Sequence, residues 1–220
     1  MTEQLLQSRI APAQDWATAV FFLAVVLVAI SRTVFEKRFS DFVRLGVSDK
    51  YIKVYRDPSH MTGGFTILLF FVQLISLSLF ILLALSKFGY ALKTDWLLYI
   101  RIITFLGTFI LAKFLVDKII SVSFNIEEFA EQFNMSKVSY RTYLALALLP
   151  INGILYYNNV HDTIYFVLIA AILTINLLTY LIALKNYQNF IAGKLFYFIL
   201  YLCALEIGPY YFMYYWFTRN

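Results

Sequence analysis

The sequence predicts an all-α fold: a polytopic membrane helix bundle with about six transmembrane helices and two amphipathic interfacial helices. Three observations predict it. Apolar residues make up 61% of the 220-residue chain and charged residues only 14%, against roughly 45–50% and about 25% in soluble domains. The apolar residues gather in runs near the twenty or so needed to cross about 30 Å of hydrocarbon. The amphipathic aromatics stand at the ends of those runs, where interfacial belts form. A mean hydropathy of +0.73 excludes a water-soluble globule, a disordered chain and a repeat solenoid.

The whole chain, 1–220, reads as one integral membrane domain. The first span, about 16–31, is closed by Ser31 and Arg32. A secretory signal carries its basic segment before the apolar stretch. Here only Arg9 precedes it while Arg32, Lys37 and Arg38 follow, so the segment reads as an uncleaved anchor. The second span, about 65–86, is interrupted only by Gln73, Ser76 and Ser78, and the third, about 96–116, encloses Arg101 and Lys113. The fourth, about 140–157, is read as broken by Pro150, Asn152 and Gly153, and the fifth and sixth cover about 163–184 and 195–217.

Basic residues orient such a bundle. Arg32, Lys37, Arg38, Arg44, Lys50, Lys53, Arg56, Lys113, Lys118, Lys137, Arg141, Lys185 and Lys194 fall on one side, and Arg9, Lys87, Lys93, Arg101 and Arg219 on the other. Thirteen against five predicts cytoplasmic loops one, three and five, with both termini outside. The net charge of +5 therefore indicates orientation, not nucleic-acid binding.

Two connections on the basic side are patterned as helices. In the first, Phe35, Phe39, Phe42 and Val43 share a face, with Lys37, Arg38, Asp41 and Arg44 off it; a basic amphipathic helix suits an anionic membrane surface. In the second, Ile119, Val122, Ile126, Phe129 and Phe133 are spaced 3-4-3-4, predicting a helix over about 119–133 with acidic Glu127, Glu128 and Glu131. Phe35, Phe39, Phe42, Ile126, Phe129 and Phe133 are thus expected to dock lipid or a partner. The two helices, basic and acidic, could also pack on each other.

Chemistry-bearing motifs are absent from the sequence. A single cysteine, Cys203, excludes an intrachain disulfide and a thiolate cluster. His60 and His161 are predicted on opposite sides of the membrane, and no H-E-x-x-H, C-x-x-C, phosphate loop or G-x-S-x-G elbow occurs. No metal and no cofactor is expected, and no catalytic residue is assigned. The turn Asn158–Asp162 is expected to cap the following span through Asp162.

Glu206 stands out, central in the sixth span and followed by Gly208 and Pro209. A carboxylate there is expensive unless neutral, paired or hydrated. Proline frees a backbone carbonyl, and a broken helix beside a buried acid is found at transporter sites as well as at structural kinks. Arg101, Lys113, Asn152, Asn176 and Gln73 are its candidate partners in a polar core, with Pro150, Gly153, Gly208 and Pro209 as helix breaks.

The closing stretch Phe196–Pro209, the Leu148–Asn152 segment and the phenylalanine-rich first loop resemble a Bacteroidota-type, six-span bacterial inner-membrane family of unknown function (domain-of-unknown-function family 4271). The resemblance covers most of the chain and carries no established activity. It implies the bacterial inner membrane and a context of polyprenyl-phosphate sugar metabolism. Sequence and resemblance together suggest a non-enzymatic accessory or scaffold subunit of an envelope export or glycan-assembly machine. Its partners would be membrane lipid and other membrane-protein subunits. The second expectation is a small transporter or flippase for an anionic or polyprenyl-linked solute, using Glu206 at the bilayer midplane. A membrane-bound enzyme is the third.

Overall fold

A computed structural model of the chain describes residues 15–46, 50–55, 63–123, 127–158 and 160–186. The described residues form α1 (Asp15–Val34), α2 (Glu36–Val43), a 3₁₀ turn (Arg44–Gly46), α3 (Lys50–Val54), α4 (Gly64–Lys87), α5 (Trp96–Ser123), α6 (Glu127–Tyr157) and α7 (Asp162–Asn186). Five of these helices, α1, α4, α5, α6 and α7, are long and apolar enough to cross a membrane. The chain is a multi-pass helical membrane protein. The expected sixth span lies outside the described residues, and Glu206, Gly208 and Pro209 with it.

The long helices alternate in direction. At one end Trp16 of α1 meets Tyr99 of α5 and Tyr156 of α6, and Lys87 of α4 pairs with Asp162 of α7. At the other, Phe42 of α2 meets Phe65 at the start of α4 and Tyr143 of α6. The centre is α4, which touches α1, α5 and α6, while α7 packs on α6. A helix apolar all round is buried in protein or faces lipid, and both cases occur here. The central stretch of α4 is 67% buried, with Leu79, Leu82 and Leu83 fully enclosed, whereas those of α5 and α7 are only 6% buried.

The ends of the helices follow local chemistry. Gly89 takes φ 82°, which lets α4 end in a Schellman turn: Gly89 N–H donates to Ser86 O at 3.2 Å and Tyr90 N–H to Leu85 O at 3.0 Å. Asp95 caps α5 by accepting from Leu98 N–H at 3.0 Å. At α7 the capping place belongs to His161, whose Nδ1 lies 3.4 Å from the Thr163 N–H. Asp162 sits instead in the first turn and pairs with Lys87 at 2.7 Å.

Two expected features are replaced. Pro150 does not break its span, because α6 runs unbroken through it to Tyr157. The proline ring already holds φ at a helical value, and no atom lies within 4 Å of the position a Cβ would take at Gly153. No separate helix covers 119–133 either: Ile119 and Val122 extend α5, while Phe129 and Phe133 belong to the first turns of α6. Ile126 lies outside the described residues. Helical periodicity carries no mark of where one helix ends and the next begins, so two span extensions read as one amphipathic repeat.

Candidate functional site

The interior of the α4–α6 pair is polar at mid-length. Ser76 Oγ donates to Ala145 O at 2.7 Å, and Asn152 Nδ2 donates to Ser76 O at 2.7 Å and lies 3.3 Å from Ser76 Oγ. Nearer the α2 end Thr142 Oγ1 donates to Gln73 Oε1 at 2.8 Å. Gln73, Ser76 and Asn152 are all fully buried, yet Gln73 Nε2, Asn152 Oδ1 and the neighbouring Ser78 Oγ have no hydrogen-bond partner among the described residues. On a membrane helix such side chains satisfy themselves against a neighbouring helix. Here they do so only in part, which leaves hydrogen-bonding capacity unused.

Above this seam the short helices α2 and α3 close the end of the bundle. Phe42 and Leu45 pack with Tyr51, Phe65, Leu69 and Met135, and Phe35 and Phe39 lean on the same cluster. Within this cap Arg38 donates through Nε to Tyr51 Oη at 3.3 Å and through Nη2 to Thr66 Oγ1 at 3.1 Å. Its guanidinium lies 4.7 Å from the ring centre of Phe65 and 5.1 Å from that of Tyr55, a cation–π clamp. Burial lifts the phenol of Tyr51 above its ordinary range, partly opposed by Arg38, and burial followed by Asp41 lifts that of Tyr55. Beneath the clamp a cavity of about 10 Å³, the size of one water, is lined by Thr66, Ser139 and Thr142 among apolar neighbours.

The opposite end carries two lysines. Lys93 Nζ stands 3.4 Å from Leu155 O and 3.4 Å from Asn158 O, where it satisfies the C-terminal carbonyls of α6. Burial, and then the like charge of Lys87, lowers its pKa. Trp16 Nε1 donates to Thr94 O at 3.3 Å.

Of the candidates for the expected polar core, Gln73 and Asn152 line the α4–α6 seam, whereas Glu206, around which that core is expected, lies outside the described residues. Arg101 is exposed on α5, and Asn176 is exposed on α7 with Nδ2 bonded 2.8 Å away to Ile172 O of its own helix. Both therefore lie away from the α4–α6 seam. Lys113 is half-buried on α5. The aromatic docking face is also redirected. Phe35, Phe39 and Phe42 point into the bundle, Phe42 only 1% exposed, and Phe133 is fully buried. An apolar helix face gains as much from protein as from lipid, and α4 and α6 offer it a packed partner. Sequence reading missed Arg38 as a clamp, because its basic neighbours made it look like one more solvated charge. It also missed Asp117, a buried carboxylate one turn beyond Lys113. Among the described residues no group of three His, Cys, Asp or Glu side chains is placed to hold a metal ion.

A family model described as "Domain of unknown function (DUF4271)" matches residues 17–217 of the chain. No curated protein and no solved structure matches it.

Proposed function

From the premise that the chain belongs to the DUF4271 family, we propose that it is a non-enzymatic accessory or scaffold subunit of an envelope export or glycan-assembly machine in a bacterial inner membrane. One observation carries this reading. The α4–α6 pair is locked from within, whereas α5 and α7 are 6% buried along their membrane stretches and turn apolar side chains such as Leu111, Leu173 and Leu177 outward. A locked centre flanked by helices whose apolar faces no other described helix covers is what a docking subunit needs. The thirteen-to-five division of basic residues supports a topology with both termini outside; a cytoplasm-dependent reporter fused after Asn220 is then silent.

A second reading, a small carrier for an anionic or polyprenyl-linked solute, draws on the unused hydrogen-bonding capacity of Gln73 and Asn152 and on Glu206. Purification in mild detergent with mass spectrometry separates the two. For the scaffold, a membrane-protein partner copurifies at fixed stoichiometry, and Leu173→Ala with Leu177→Ala releases it without changing thermal stability. A partner-free protein that supports proton-coupled uptake, lost in Glu206→Gln, sinks the scaffold reading in favour of the carrier.

A further inference from the structure

We infer that the outward face of α2 is a binding surface for anionic phospholipid headgroups, built by Arg32, Lys37 and Arg44. Arg32 lies in the last turn of α1, Lys37 in α2 and Arg44 in the 3₁₀ turn that follows. All three are exposed, and none of their side chains makes a hydrogen bond or ion pair among the described residues. Lys37 and Arg44 are seven positions apart, two helical turns, and so share a side. Among the described residues the acid left to that outward face is Glu36, since Asp41 is engaged by Lys50 at 3.7 Å and by Tyr55 at 3.5 Å.

Depth and chemistry identify the ligand. The surface begins where a membrane-length helix ends, at Val34, which places it at headgroup level. An interfacial helix ordinarily sinks its apolar face into the lipid. The phenylalanine face of α2 is spent on Phe65, Leu69 and Met135, so α2 presents the membrane with charge. Guanidinium forks fit phosphate oxygens bidentately. Val34 and Val43, 63% and 47% exposed beside the cations, favour a phosphate attached to acyl chains over a free one. The Arg38 clamp holds this face in a fixed position. The surface is independent of whether the protein serves as a scaffold or a carrier.

The test is native mass spectrometry of the full chain in nanodiscs of mixed phosphatidylglycerol and phosphatidylcholine. Wild type retains phosphatidylglycerol preferentially. Each of Arg32→Gln, Lys37→Gln and Arg44→Gln cuts that preference roughly fivefold, the usual contribution of one basic side chain near an anionic surface. Added salt weakens the preference, and Glu36→Gln strengthens it. Arg101→Gln, removing an exposed cation at the other end of the bundle, leaves it unchanged. Should one of the three basic-face variants fail to fold, the other two and Glu36→Gln decide. A wild-type preference in the basic-face variants, an equal loss in Arg101→Gln, or displacement of the lipid by free inorganic phosphate overturns the assignment.

Discussion

Asn152 of α6 donates to the backbone carbonyl of Ser76 on α4 at 2.7 Å, and Ser76 returns a 2.7 Å bond to the backbone of Ala145 on α6. Each helix thereby holds the other's main chain as well as its side chains. Sliding one helix by a single turn would break both bonds, so the pair fixes the register of the two helices that organise the bundle.

Asn152→Ala is expected to lower stability by about 1–2 kcal/mol: roughly 0.6–1.7 for the interhelical bond in a membrane, plus a small cavity term. Asn152→Asp keeps the size but buries a charge, and is expected to cost more, about 3 kcal/mol. Gln73→Leu removes the unpartnered Nε2, whose burial costs about 1–3 kcal/mol, but it also removes the acceptor of Thr142 Oγ1. That hydroxyl can turn to a carbonyl of its own helix, so the net change is expected to be under about 1 kcal/mol. Thermal unfolding in detergent measures all three. A destabilisation by Gln73→Leu as large as that of Asn152→Ala contradicts this account of the seam.

Arg38→Lys is expected to behave much like Arg38→Ala, each lowering stability by about 1–3 kcal/mol. Lysine keeps the charge and loses the plane that stacks between Phe65 and Tyr55 and the fork that reaches Tyr51 and Thr66. Full rescue by lysine in a thermal melt would reduce the clamp to a simple charge effect.

The clamp also has an alkaline limit. The Tyr51 phenol titrates above its unfolded value of about 10. A raised folded pKa contributes stability that is complete below about pH 10 and is lost as pH climbs through the folded value. Melting temperatures of wild type measured from about pH 8 to 11 should therefore fall faster above pH 10 than those of Tyr51→Phe, which has no phenolic proton to lose. Parallel curves would remove Tyr51 from this linkage.

Gly46→Ala would set a methyl group 2.6 Å from the Tyr143 hydroxyl and 3.1 Å from Cζ of the same ring. Overpacking of this kind costs about 1–3 kcal/mol. Tyr143→Phe in the same chain removes the closest atom and should recover part of the loss, a coupling readable in a double-mutant cycle. Additive effects would show that the ring moves aside freely.

The spans were legible because composition alone separates membrane helices from connections: the expected 65–86 and 163–184 differ from α4 and α7 by one or two residues at each end. The inner face of a span is harder to read. In lipid both faces of a helix are apolar, so nothing in the pattern of α5 or α7 says that they lie outermost among the described helices while α4 lies at the centre. Gln73 and Asn152 were visible as rare polar groups within apolar runs, and Arg101 and Asn176 looked the same. Which of them turn inward depends on helix rotation, which spacing does not encode. Proline misled for a related reason: it signals a lost hydrogen bond, and a continuous helix tolerates that loss. The phenylalanines of α2 were recognised as one face, but the choice between lipid and protein rested with α4 and α6, distant in sequence.

Trp16, at the start of α1, carries a consequence for the order in which the chain matures. Its indole bonds to Thr94, 78 residues downstream, and is walled by Tyr99 and Tyr156, while Thr18 bonds to Tyr157, 139 residues away, at 2.6 Å. During synthesis α1 emerges before α4, α5 and α6, yet the surroundings of its Trp16 end are completed only when α6 has been made and inserted. Long-range closures of this kind come late because the intervening chain must be ordered before they form. A helix made ahead of its partners is thus among the last to reach its final seat. A nascent chain halted after α5 would leave Trp16 open to solvent or lipid, giving a fluorescence marker for unfinished assembly.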